Sequence, residues 1–179
     1  AMVSESGTTT VTATSSAVSA KEITVTITKT GTATEGSTAD YTLSGTITIS
    51  VGSTVGSVTF AALADTLDEA NETVGIEITG VTNGSFTAPQ TATITITDET
   101  TAPTVTLSTG VTTIGEAAGT TSVTASLSAV SALQVTATLT KTGTATETLD
   151  YTLAGEIQVS AGSQSSAITI TAVNDTLNE

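Results

Sequence analysis

The chain contains no cysteine and no histidine. Disulfide staples, thiolate metal sites and imidazole ligands are therefore excluded. So are the Ser-His and Cys-His pairs that serve most nucleophilic hydrolysis. Positive charge is nearly as scarce: Lys21, Lys29 and Lys141 face seventeen acids, and the net charge is −14. Nucleic acids and anionic membrane surfaces are held by clustered Lys and Arg, so neither is an expected partner. Two tyrosines and two phenylalanines are too few to stack bases. No apolar run is long enough to span a bilayer, so no membrane insertion is expected, and no signal peptide is visible in these residues.

Thr, Ser, Val, Ile, Ala and Gly make up most of what is present, and they alternate. Ile23, Val25 and Ile27 are separated by threonines. The same period of two recurs at Ile47 and Ile49, at Val74, Ile76 and Ile78, and at Ile94 and Ile96. It returns at Val135, Ala137 and Leu139, and at Ile168 and Ile170. Each run reads as a strand with one apolar and one hydroxyl face. Gly52-Ser53, Asn83-Gly84 and Gly162-Ser163 punctuate them as turns. No segment sustains a helical period. Many short strands at regular spacing predict an all-β, antiparallel sandwich or barrel.

The chain also repeats itself. Lys29-Thr-Gly-Thr-Ala-Thr-Glu35 returns as Lys141 to Glu147, Asp40-Tyr-Thr-Leu43 as Asp150 to Leu153, and Asp65-Thr-Leu67 as Asp175 to Leu177. The offset is about 110 residues. Two domains of one fold follow, 1–100 and 101–179, divided near Thr100-Thr-Ala-Pro103. The strand Thr104 to Leu107 has no counterpart before Val3, and the strands Thr73 to Thr79 and Thr91 to Thr97 have none in the second repeat. Both domains are therefore expected to lack terminal strands, the first its first and the second its last two, like a window on a longer array. Open sheet edges are templates for other chains. The expected partners are neighbouring repeats of the same array, with strand exchange or dimerisation through those edges.

Acids recur at strand ends. Glu5 and Glu116 precede the first alternating run of each repeat, and Asp40 and Asp150 precede Tyr-Thr-Leu. Asp65 and Asp175 follow an apolar strand, with Glu69 and Glu179 four residues later, and Asp98-Glu99 ends the last strand of the first repeat. Loops of a sandwich gather at two poles, so these carboxylates can converge. At about 4 Å in water each like-charged pair costs roughly 1 kcal/mol. Ca²⁺ relieves this with six to eight oxygens in flexible geometry, whereas Mg²⁺ demands a tight octahedron and keeps its waters. Solvated turn residues are the plain alternative reading. The EF-hand loop and the glycine-rich nonapeptide are both absent, so any calcium site would be assembled from separate loops.

The segments Gly31-Thr-Ala-Thr, Asp40-Tyr41, Gly45-Thr-Ile, Val51-Gly and Asp65-Thr-Leu-Asp-Glu-Ala-Asn-Glu72 resemble a Calx-β domain, and the resemblance runs over nearly the whole chain, twice. It implies two tandem immunoglobulin-like antiparallel β-sandwiches with Ca²⁺ at the distal loops. In domain 1 it implies ligands from Glu5, Asp40, Asp65, Glu69, Asp98 and Glu99. Glu72 is implied as a ligand, an orienting group or a plain strand-end residue. In domain 2 the matching residues are Glu116, Asp150, Asp175 and Glu179. Asp68, replaced by Asn178 in the second copy, is expected to be a bystander. Many members of the family carry two adjacent aspartates where this chain has Ala64-Asp65 and Asn174-Asp175, and their closing run of aspartates is reduced here to Asp98-Glu99. The expected function is a calcium-binding structural or adhesion module of a large bacterial surface protein, outside the cell, with Ca²⁺ stiffening the array at domain junctions. A calcium-sensing regulatory domain and a spacer that binds no calcium are the alternatives. An enzyme is not expected, since a glycosidase-like acid pair would need aromatic sugar platforms.

Overall fold

The computed structural model describes residues 1–36, 39–117 and 119–174. Among them all regular structure is strand, as the alternation of β-branched and hydroxyl residues requires. The compact units are Ala1–Thr66 with Ala70–Glu99, and Leu67–Glu69 with the stretch from Thr100 onward.

The first unit is a sandwich of two sheets. One has the order β1 (Met2–Ser4), β8 (Thr91–Thr97), β7 (Glu72–Thr82), β3 (Ile23–Gly31), β5 (Thr46–Ile49). The other has the order β2 (Thr8–Thr14), β6 (Val55–Ala62), β4 (Tyr41–Leu43). Alternation decides which side chains go inward. On β3, Ile23, Val25 and Ile27 are buried while Thr26 and Thr28 face out. On β7 and β8, Val74, Ile76, Ile94 and Ile96 face the same core. Phe60 is wholly buried at its centre, and the Tyr41 ring stacks on it with centroids 5.1 Å apart. Each fully buried side chain of this size contributes roughly 1.5–3 kcal/mol.

One pairing departs from the antiparallel expectation. β1 runs parallel to β8, Val3 opposite Ile96. Three residues are too few to show a period, and a parallel partner 90 residues away leaves no turn signal between the two strands. The period of two therefore does not mark this strand in the sequence.

The second unit repeats the plan with fewer strands. Its larger sheet has the order β12 (Tyr151–Thr152), β14 (Ser165–Ala172), β10 (Thr120–Leu127), β9 (Val105–Thr109). Its smaller sheet pairs β11 (Val135–Thr138) with β13 (Glu156–Val159). Val123, Ala125, Leu127, Ile157 and Val159 are buried, while Leu139, Leu153, Ile168 and Ile170 are only partly covered. β11 holds the place of β3 in the repeat. β3 is bonded on both edges, to β5 and β7, and β11 on one, to β13.

Phe60→Ala is expected to cost about 3–5 kcal/mol, the usual loss for a large side chain in a closed core. Ile170→Ala, at the matching position of the second unit, is half-buried and is expected to fall below the ~2–5 kcal/mol range of closed cores. Denaturant unfolding of both variants checks this, and equal losses would contradict the difference in closure.

Candidate metal centre

The acidic pole of repeat 1 is assembled by backbone pairing. β4 and β6 pair with Tyr41 opposite Ala62, so the residues just outside the pair, Asp40 and Leu63, lie together. Leu63 N–H donates to the Asp40 carbonyl at 2.9 Å, and Asp40 N–H donates to the Thr34 carbonyl at 3.1 Å. Thr34 N–H donates in turn to Asp40 Oδ2, which fixes the carboxylate against its own loop. From the other sheet, β7 starts at Glu72 opposite Ile96 of β8. Asp98 N–H, just past the end of β8, donates to Asn71 Oδ1 at 3.2 Å. Glu5 N–H donates to the Thr97 carbonyl at 3.2 Å, which brings the end of β1 to the same pole.

One carboxylate oxygen each from Asp40, Glu69 and Glu72 lie within 4.8 Å of one another, and all three residues are half-buried. Asp40 comes from the β3–β4 loop, Glu69 from the β6–β7 loop and Glu72 from the first position of β7. Hard oxygens from separate loops suit Ca²⁺, with its long and flexible coordination, better than Mg²⁺. All three residues had been singled out from the sequence. Glu72, at the first position of β7, is one of the three grouped carboxylates. Glu5, Asp65, Asp98 and Glu99 lie at strand ends of the same repeat but are not part of this three-carboxylate group. Asp68 is buried, 9% exposed, and is not one of the three grouped carboxylates. Burial was not legible there because its neighbours in sequence are as polar as those of its exposed fellows.

Tyr41 follows Asp40 directly. Burial raises the pKa of its phenol, and the charges of Glu35 and Asp40 raise it further. The ring stacks on Phe60 and anchors β4 in the core. Lys29 forms an ion pair with Glu35 and donates to the Leu43 carbonyl at 2.8 Å.

Repeat 2 reproduces the scaffold of the pole. Thr146 N–H donates to Asp150 Oδ2, Val173 N–H to the Asp150 carbonyl at 2.9 Å, and Lys141 pairs with Glu147. Glu116 is exposed and Asp150 half-buried, and among the described residues no group of three carboxylates forms in this repeat. The proposed ligands Asp175 and Glu179 lie outside the described residues.

The family model of the Calx-beta domain matches residues 2–100 and again 98–179. The chain belongs to the Calx-beta family. Its two Calx-beta domains are similar to solved structures described as CBD12 from CALX1.2 (20% identity, TM-score 0.46, covering 98% of this chain and 73% of that one). They are also similar to the calcium binding domain CBD12 of CALX1.1 (19% identity, TM-score 0.47, covering 97% and 73%). No curated protein matches the chain.

In this Calx-beta domain the Asp40 side chain has two separable parts, a charge and an acceptor for Thr34. Asp40→Asn keeps an acceptor and is expected to leave calcium-free stability unchanged or slightly raised. Asp40→Ala is expected to lose about 0.5–1.5 kcal/mol. Thermal unfolding in chelator distinguishes them, and equal destabilisation by both would refute this assignment of the hydrogen bond.

Proposed function

We propose that the first Calx-beta domain binds Ca²⁺ through Asp40, Glu69 and Glu72, and that the chain is a non-catalytic structural module of an extracellular bacterial surface protein. The observation that carries the calcium reading is the convergence of three half-buried carboxylates from two loops and the start of β7. Membership of a generally calcium-binding family supports it, and one of the similar structures is named a calcium binding domain. The same oxygens would repel one another without a cation. Bound calcium would supply the neutralising charge. The protein's own part is to present the oxygens: backbone bonds hold Asp40, and β7 delivers Glu72. Asp65, Asp98, Glu99 and Glu5 are candidates to complete the coordination, since six to eight oxygens are needed.

The structural role rests on composition, a Thr/Ser-rich, cysteine-free and acidic tandem. No helix of the described residues is long and apolar enough to cross a membrane. A cation shared by loop and linker acids removes a hinge, which would stiffen an array at its domain junctions. A regulatory calcium sensor is the second reading. Affinity separates the two: about 10⁻⁷–10⁻⁵ M marks a sensor and about 10⁻⁴–10⁻³ M an extracellular module.

Two experiments test these readings. Calcium titration by calorimetry is expected to show binding that Asp40→Asn with Glu72→Gln abolishes and that Glu77→Gln, on the exposed face of β7, leaves intact. At a hundred times Kd the ion should add about 2.7 kcal/mol to the stability of repeat 1. Binding that survives the double substitution would overturn the ligand set. Small-angle scattering should show a longer, less flexible particle with Ca²⁺. A profile that changes no more than with matched ionic strength would rule out stiffening.

A further inference from the structure

We propose that Lys29 is a positioning residue of the calcium centre, stapling the ends of the loop that locates both Asp40 and the start of β7. The proposal rests on the calcium reading of Asp40 and Glu72. Lys29, on β3, and Glu35 lie six residues apart along the chain and form an ion pair. The same ammonium donates to the carbonyl of Leu43, the last residue of β4, at 2.8 Å. Between the stapled residues the loop makes two sets of contacts. In the first, Thr32 Oγ1 accepts from Thr73 N–H at 2.9 Å, and the N–H groups of Thr32 and Ala33 donate to the Thr73 carbonyl at 3.0 and 3.2 Å. Thr73 follows Glu72 directly on β7. In the second, Thr34 N–H donates to Asp40 Oδ2, and the Thr34 carbonyl accepts from Asp40 N–H. Two of the three grouped carboxylates are therefore located by one short loop, and Lys29 closes that loop.

Repeat 2 builds the staple a second time. Lys141 and Glu147 are again six residues apart and paired, and Lys141 donates to the matching carbonyl, that of Leu153, at 2.8 Å. The threonine that holds the aspartate is six residues from it in repeat 1 and four in repeat 2. Loop length beyond the staple thus changes, while the staple and the bond to the aspartate are both kept. Two of the three lysines in a chain of net charge −14 occupy this one position. Stability alone is a weak reason for it, since an ion pair whose carboxylate is 39% exposed contributes little. The lysine side chain is only 15% exposed, so its ammonium is held between two fixed acceptors. Groups that orient a metal ligand without touching the metal typically change affinity by about 10–100-fold.

The test is Lys29→Met in the whole chain, which keeps the apolar stem and removes the ammonium. Position and charge predict opposite signs. If Lys29 acted through its charge alone, losing a cation would tighten calcium binding. The staple predicts weaker binding, by about tenfold or more in the calorimetric Kd for calcium. Lys21→Met removes the same charge from an exposed lysine and is expected to leave Kd unchanged. Hydrogen exchange in chelator is the second readout. Lys29→Met should speed exchange at the Thr34 amide, the donor to Asp40, while amides in the pairing of β2 with β6 keep their protection and serve as the folding control. Should Lys29→Met fail that control, Lys29→Gln is also neutral and carries the same opposed signs. Calcium binding that is tighter or unchanged in the folded variant would overturn the proposal, and so would unchanged exchange at Thr34. Failure of the calcium reading is distinguishable: the unsubstituted chain would take up no calcium, which would overturn the positioning role too, while faster exchange at Thr34 would still show the staple.

Discussion

The pairing of β3 with β7 is the contact on which repeat 1 depends. It runs from Thr24 opposite Thr82 to Gly31 opposite Val74, with a register shift between Thr26 and Ile27. Because side chains alternate along a strand, one register does two things. It turns Val74 and Ile76 into the core, and it puts the start of β7, and with it Glu72, at the acidic pole. Gly31 permits the approach, since any side chain there would collide with the Thr73 carbonyl. Core and candidate metal centre are therefore consequences of a single strand placement.

At the pole, the backbone imposes a proximity that the charges resist. Asp40 is held by Thr34 and Leu63, and Glu72 by its pairing on β8. The lysine of the repeated motif is engaged elsewhere, Lys29 with Glu35 and the Leu43 carbonyl. In a chain with three cations to seventeen acids, an external cation is the natural partner for such a cluster. Repeat 2 builds the same loop scaffold around Asp150, and no group of three carboxylates forms among its described residues.

The two repeats also form an internal comparison. Nearly the same motifs produce a closed core in one and a half-open groove in the other, since burial depends on which strands are present beside a residue as well as on the residue itself. Leu139 is as apolar as Ile27 but lacks a facing strand among the described residues. Gly143 shows that a local conformation can persist without the contact that explains it in the other repeat.

Strand content, the repeat and the inward faces were legible in the sequence, because a period of two and a pair of matching motifs are local properties. Ile23, Val25, Ile27, Val74 and Ile76 all turned inward as their alternation predicts. The acids of the centre were legible as a set of strand-end positions, but not as a group. Which carboxylates meet is decided by strand order and register, and these bring Asp40, Glu69 and Glu72 together, a group that does not include Glu5, Asp65, Asp98 or Glu99. The parallel placement of β1 on β8 and the burial of Asp68 were likewise decided by tertiary structure. Period and motif belong to neighbours along the chain, whereas distance between carboxylates and closure of a core belong to strands that meet only once the sheets have formed.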